Sequence, residues 1–492
     1  MTNMPQPEQN QWKTLDKDLK RIVQLEQATA FLSRPLIAIG IALAFVAVCT
    51  IAAAVFIGGA PKGLIVVAAA AFGAYMALSI GANDVANNMG PAVGANALTM
   101  GGALVIAAIF ETAGALIAGG DVVSTISGGI VAPEAVAAPQ TFIWAMMAAL
   151  IASSLWLNLA TWLGAPVSTT HAIVGGVMGA GVVAAGFGAV DWGKMGQIAA
   201  SWVISPVLGG VIAAAFLAFI KARIADVDDK LAAARFWVPI LIGVMAGTFA
   251  TYLSVKGLKK IVEISMGSAV MLGIAIGIAA LIVTRPIIRR QSAGMENRKK
   301  SLRALFGMPL VISAALLSFA HGANDVANAV GPLAAIVHAV ADGGTAEKVT
   351  IPLWVMLIGA GGISFGLVLF GPKLIRMVGS EITKLNPLRA FCVALSAAIT
   401  VIVASALGLP VSSTHIAVGA VFGVGFFREW HADRKTRRTG IVKGNPVPVD
   451  ERAKRKLVRR AHVLSIGAAW VVTVPLTAGL SAAIFYVLNW LA

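Results

Sequence analysis

The sequence predicts an all-α polytopic membrane protein of about 12 transmembrane segments, arranged as two inverted-topology repeats that contain re-entrant or broken helices. Three observations carry this. Of 492 residues, 58% are hydrophobic and only 12% charged, against roughly 25% charged in a soluble domain, and the mean hydropathy is +0.86. Apolar runs of about 18 to 25 residues recur along the chain, as helical spans require, whereas a transmembrane barrel would show short alternating segments. Finally, one block of motifs occurs twice. The net charge of +16 does not point to nucleic acid, because the basic residues lie between apolar runs rather than on a folded basic surface. Cys49 and Cys392 each sit inside an apolar run, which leaves no disulfide framework and no cysteine metal site.

In chain order, residues 1–35 are a polar tail, read as cytoplasmic. The run 36–58, within an additional N-terminal span over 36–63, is too long for a signal-peptide core and reads as a retained crossing. The first repeat, 64–220, holds runs near 64–82, 98–118, 141–163, 164–188 and 196–220. Linking spans near 236–254 and 266–284 and a basic cytoplasmic loop fill 221–304. The second repeat, 305–427, holds runs near 305–322, 351–370, 388–407 and 411–427, followed by a basic cytoplasmic loop, 428–460, and a C-terminal span, 461–492. Segments 164–188 and 411–427 are rich in small residues and start at Pro166 and Pro410, so they are expected to be broken or re-entrant.

Short cytoplasmic loops carry an excess of Lys and Arg. Segment 428–460 holds twelve and 285–303 holds seven, whereas 59–63, 119–140, 189–195 and 341–350 are poor in them. The former pair is therefore assigned to the cytoplasm and the latter group to the outside. Lys256, Lys259 and Lys260 break this pattern, because their loop falls outside.

The heptapeptide Gly81-Ala82-Asn83-Asp84-Val85-Ala86-Asn87 returns as Gly322-Ala323-Asn324-Asp325-Val326-Ala327-Asn328, and Pro166-Val167-Ser168-Thr169-Thr170-His171 returns as Pro410-Val411-Ser412-Ser413-Thr414-His415. The spacing from Asp to His is 87 positions in one copy and 90 in the other, so a whole unit is duplicated. With the loop assignment above, span 64–82 runs inward and span 305–322 outward. Inverted repeats with interrupted segments at matching places are the signature of a secondary transporter with a midplane site.

Across segments 64–118, 141–188, 305–340 and 390–427 there is no Lys or Arg, and the acidic residues there are Asp84, Glu111 and Asp325. An ionisable group at membrane depth is a functional candidate because leaving it there costs several kcal/mol; the competing reading is a carboxylate bonded to nearby helix ends. Glu111 has no acidic match near Gly366, its expected counterpart. The hydroxyl clusters Ser168-Thr169-Thr170 and Ser412-Ser413-Thr414 fall where helices would begin, so they either cap buried helix starts or form an anion cradle with them. An anion held beside these carboxylates needs travelling cations, either protons or Na⁺. Asn83, Asn87, Asn324 and Asn328 can donate to the anion or ligate the cation. His171 and His415 read as neutral pins of the interrupted turns in preference to proton carriers, and the same holds for His321.

At these motifs, together with Glu111-Thr-x-Gly-Ala, the sequence resembles the PiT family of inorganic phosphate transporters over roughly residues 64 to 490. The resemblance implies two inverted repeats, hairpins around a central phosphate site, H⁺ or Na⁺ as coupling ion, and a homodimer in the cell membrane. Phosphate and membrane lipid are the implied partners, with no cofactor, no nucleic acid and no enzymatic activity. It further implies that Asn83, Asp84, Ser168, Thr169, Thr170, Asn324, Asp325, Ser412, Ser413 and Thr414 surround phosphate, and that Asp84, Asn87, Glu111, Asp325 and Asn328 serve the cation. The expected function is phosphate import by cation symport through alternating access. A sulfate permease on the same scaffold is the alternative; a cation exchanger has no use for paired hydroxyl clusters, and a hydrolase built on Ser168 and His171 leaves the second copy unexplained.

Overall fold

The computed structural model describes residues 36–55, 57, 62–136, 138–163, 167–258, 262–342, 351–381, 385–439, 441–442, 445–446 and 460–491. Within the described residues fifteen helices follow one another: α1 (Leu36–Val55), then α2 (Gly63–Gly94), α3 (Met100–Ala118), α4 (Gly120–Gly128), α5 (Pro139–Leu163), α6 (Thr169–Ala185), α7 (Trp192–Ile220), α8 (Lys230–Lys256), α9 (Met266–Gln291), α10 (Lys299–Leu305), α11 (Gly307–Asp342), α12 (Leu353–Glu381), α13 (Pro387–Ala406), α14 (Ser413–Thr439) and α15 (Arg460–Leu491). Among the described residues, eleven of these are long and apolar enough to cross a membrane. The chain is thus a multi-pass membrane protein. The apolar segment 164–188 yields only the 17-residue α6, too short for a full crossing of about 20 residues, in keeping with the broken helix expected there.

Burial ranks the helices. Across its most apolar window α11 is 89% buried, whereas α1 is 11% buried, so α11 is the centre of the bundle and α1 a peripheral addition. Phe45 fastens α1 to α12 by packing on Phe365 at a centroid distance of 4.9 Å. With 36 residues, α11 extends about 54 Å at 1.5 Å per residue. Asp325 lies halfway along it.

Three expectations are corrected. The repeated heptapeptides lie inside continuous helix, because the spans expected to stop near 82 and 322 run on through Pro91 to Gly94 and through Pro332 to Asp342. Hydropathy falls at the Asn and Asp residues, but a helix satisfies its own backbone whatever its side chains, and these side chains are buried against other helices. The interrupted backbone lies where it was expected, just before α6 and α14, where Ser168 is extended at φ −88° and Gly408 takes φ +68°, the left-handed region that favours glycine. Pro166 lies outside the described residues. The second correction concerns the stretch beyond 427, read as loop: α14 continues to Thr439, since Arg, Lys and Glu are good helix formers, and residues 441–442 pair antiparallel with 445–446. The third concerns Glu111, taken up below with its counterpart.

Packing between helices follows the duplication. A Cβ on Gly81 of α2 would meet the Ile363 carbonyl at 1.9 Å, and one on Gly322 of α11 would meet that of Glu111 at 2.1 Å. Likewise Gly366 faces the Leu78 carbonyl and Gly114 that of Phe319. Each motif helix therefore lies backbone to backbone against a helix of the other unit, α2 on α12 and α11 on α3, as small residues permit in membranes. Thr112 and Ser364, equivalent in these pairings, bond to each other at 2.7 Å. The same relation links α6 to α15, through Gly175 and Val474, and α14 to α7, through Gly419 and Pro206. Thus α15 stands to α6 as α7 stands to α14.

Lys256, anomalous by charge counting, ion-pairs with Asp121 at the start of α4. Its charge is locally compensated. Lys259 and Lys260 lie outside the described residues.

Candidate functional site

Asp84 on α2 and Asp325 on α11 meet the starts of α6 and α14 in the interior, each carboxylate 1% exposed. Thr169 Oγ1 donates to Asp84 Oδ2 at 2.8 Å and lies 3.4 Å from Asp325 Oδ2. Thr414 Oγ1 donates to Asp84 Oδ1 at 3.2 Å, and Ser413 Oγ to Asp325 Oδ2 at 3.3 Å. The two interrupted helices thus aim hydroxyls at both carboxylates. Asn87 adds a donor to Thr414 Oγ1 at 2.8 Å, and Asn328 makes the corresponding contact with Thr170 Oγ1 at 3.3 Å.

Other residues of the expected set have a different place. Ser168 Oγ accepts from the His171 amide at 3.1 Å and Ser412 Oγ from the His415 amide at 3.3 Å, so the first hydroxyl of each cluster is the N-cap. Asn324 donates to Ser405 Oγ at 2.9 Å and to the Leu409 carbonyl at 3.1 Å, and accepts from the Val411 amide at 3.2 Å. It ties down the interrupted link. Asn83 does the matching job: in the orientation that satisfies both of its ends it accepts from Thr161 Oγ1 at 3.2 Å and donates to the Val167 carbonyl at 3.3 Å and to Asp84 Oδ1 at 3.1 Å.

Glu111 is buried behind Asp84 and Asp325, where it accepts from Asn88 at 2.9 Å. His321 sits between the acids, its Nδ1 3.3 Å from Glu111 Oε2 and its Nε2 3.0 Å from Asp325 Oδ2 and 3.8 Å from Asp84 Oδ2. Among the described residues it is the one basic side chain within ion-pair distance of these carboxylates. Sequence reasoning set His321 aside as a pin and did not single out Asn88. The signal that could have found them is a break in the repeat: Ile80, Ala329 and, by the glycine pairings above, Ile363 stand where the other unit has His321, Asn88 and Glu111. The counterpart of Glu111 is therefore Ile363, three positions before the Gly366 that the repeat alone suggested.

His171 and His415 lie edge to face, centroids 4.4 Å apart, and the His171 ring packs on Trp202 at 3.9 Å, while Trp202 Nε1 donates to the Pro410 carbonyl at 3.1 Å. This cluster braces the two helix starts.

The donor set suits a hard monovalent cation, which takes carboxylate, hydroxyl and amide oxygens. Ligand atoms of Asp84, Asp325 and His321 lie within 4.8 Å of one another, and Asp325 Oδ1 and Asn328 Oδ1 are buried without a hydrogen-bond partner among the described residues. Oxygen atoms left so can take a cation, and the two helix starts beside them, with their partial positive charge and hydroxyl donors, can take an anion.

A "Putative phosphate permease" of Helicobacter pylori is 50% identical over 433 residues, 87% of this chain and 81% of that one. The "Inorganic phosphate transporter 2-1, chloroplastic" of Arabidopsis thaliana is 36% identical, over 83% of this chain and 70% of its own. A solved structure, "The sodium-dependent phosphate transporter", superposes with a TM-score of 0.78 at 36% identity, covering 87% of this chain and all of that one. The model of the phosphate transporter family matches residues 80–481, and the chain belongs to that family.

Proposed function

We propose that the protein imports inorganic phosphate by symport with a cation, Na⁺ in preference to H⁺, through alternating access. The observation that carries this reading is the convergence of Thr169, Ser413 and Thr414, from the starts of two interrupted helices, on the buried carboxylates of Asp84 and Asp325. Phosphate brought to these hydroxyls and helix ends would face two carboxylates, with Glu111 close behind, and no Lys or Arg bonded to them among the described residues. In a low-dielectric interior that repulsion is large. Cations bound at the same carboxylates remove it, which makes transport of the anion without them unfavourable. The choice of Na⁺ rests on the oxygen-rich donor set and on the sodium dependence named for the solved relative.

In this reading Asp84 and Asp325 hold the cation together with Asn87 and Asn328. Thr169, Thr170, Ser413 and Thr414 with the two helix starts receive phosphate; Ser168, Ser412, Asn83 and Asn324 hold those starts in place, and Glu111 with His321 balances charge behind them. Two units of opposite orientation, suggested by the loop charges and supported by the reciprocal packing of α2 on α12 and α11 on α3, give two equivalent conformations of opposite access. The test is uptake of labelled phosphate into proteoliposomes under separate Na⁺ and pH gradients with sulfate as competitor. Na⁺-driven accumulation that sulfate fails to suppress is expected. Accumulation of sulfate in place of phosphate, or equal phosphate uptake with no cation gradient, would overturn the reading.

A further inference from the structure

On the face assigned to the cytoplasm by its loops lies a cavity of about 250 Å³ walled by the end of α7, by α10, by the start of α13 and by the middle of α14. Sites for drug-sized ligands begin near 300 Å³, so this one suits a small group. Its walls carry Lys221, Lys299, Arg303, Arg389 and Arg428, with Asp226 as the acidic member. Asp226 is already engaged, its Oδ1 lying 2.5 Å from Lys299 Nζ. Burial raises its pKa, but the hydrogen bond and charge of Lys299, with Lys221 and His431, outweigh that and hold the carboxyl below its usual range. The surroundings of this acid are thus strongly positive.

The three arginines differ from that pair. Arg303 comes from α10, Arg389 from the first turn of α13 and Arg428 from α14, and none of them makes an ion pair among the described residues. Arg389 Nε donates to the neutral Asn386 Oδ1 at 3.1 Å. Arg303 and Arg389 also line the adjoining cleft against Gly94–Ala97, just past the end of α2. Three guanidinium groups of like charge brought into one small cavity repel one another unless an anion lies between them, and guanidinium matches the oxygens of a phosphate in paired hydrogen bonds.

From this we infer a second anion site, a phosphate-group site on the cytoplasmic face formed by Arg303, Arg389 and Arg428, separate from the transport site. Its ligand is free inorganic phosphate or the phosphate of a lipid head group. A group held there joins α10, α13 and α14, and so links the approach to α11, which carries Asp325, with the helix that begins at Ser413.

Two arms with the full-length protein separate the sources. In lipid-depleted micelles, labelled inorganic phosphate should occupy two classes of site. Arg389→Gln with Arg428→Gln should weaken one class at least about tenfold, the loss expected for charged hydrogen bonds, while Asp84→Asn affects the other. In nanodiscs of phosphatidylcholine doped with phosphatidic acid, retention of phosphatidic acid by the wild type and its loss from the double variant would identify the lipid as the source. Arg303→Gln, at an exposed position, should produce a smaller loss of the same class and guards against misfolding of the double variant. If neither probe depends on any of the three arginines in folded protein, the site does not exist. An effect of the arginine variants without an effect of Asp84→Asn would instead count against the transport-site reading.

Discussion

His321 is buried completely and touches three carboxylates, yet Ile80 fills its place in the other unit. Asn88 and Glu111 share this asymmetry, with Ala329 and Ile363 in their places in the other unit. The symmetric residues are two Asp, four Asn and the hydroxyls of the proposed anion cradle; the asymmetric three add polar and charged groups to one side of it. Replacing a whole buried polar cluster by apolar groups of similar shape is near neutral for stability, whereas removing one member strands the others. The triple variant Asn88→Ala, Glu111→Ile and His321→Ile is therefore expected to fold, with a Tm within a few degrees of wild type, and to lose Na⁺-driven phosphate uptake at least about tenfold. Wild-type uptake by a folded triple variant would reduce these residues to a structural role. Residue identity was legible at this scale for the repeated motifs. Roles were not: Ser168 and Thr169 are neighbours in one hydroxyl cluster, and the helix start makes one a cap and the other a ligand to Asp84.

At the scale of elements, close backbone approach decides which glycines matter. Gly322 allows α11 to lie against the Glu111 carbonyl, and a Cβ there would stand 2.1 Å from that oxygen, which is backbone and cannot swing away. Gly322→Ala is expected to cost about 1–3 kcal/mol or more in unfolding in detergent, seen as a lower Tm. Gly101→Ala, in the first turn of α3 with open space around its Cβ position, should change stability by less than about 1 kcal/mol. Similar losses from both would mean that α11 and α3 are not in close contact. Hydropathy located most crossings but cut α2 and α11 at their polar motifs. The reason is that hydropathy measures transfer to lipid, and these side chains are transferred to the interior of the protein.

For the molecule as a whole, the orientation assigned from loop charge predicts opposite accessibility for residues on opposite faces. In a background with Cys49 and Cys392 replaced by Ala, the Arg434→Cys variant should react with a membrane-impermeant thiol reagent from the cytoplasmic side, and Asp191→Cys from outside. Labelling of both from one side would remove the inverted arrangement and with it the symmetry behind alternating access. The pairing of Lys256 with Asp121 already accounts for the lysine that charge counting could not assign.

Composition, period and repetition are properties of the chain as written, and they sufficed to show a helical, duplicated membrane protein and to single out Asp84, Asp325 and the hydroxyl clusters as candidate site residues. Which hydroxyls meet which acid, that Ile363 takes the place of Glu111 in the other unit, that His321 lies among three carboxylates, and that arginines from three helices share one cavity were settled by the folded arrangement alone. Those facts depend on distances between residues far apart in the chain. In a bundle of long helices such distances are fixed by packing across the two units, where glycines admit close approach, and not by any local preference of the residues themselves.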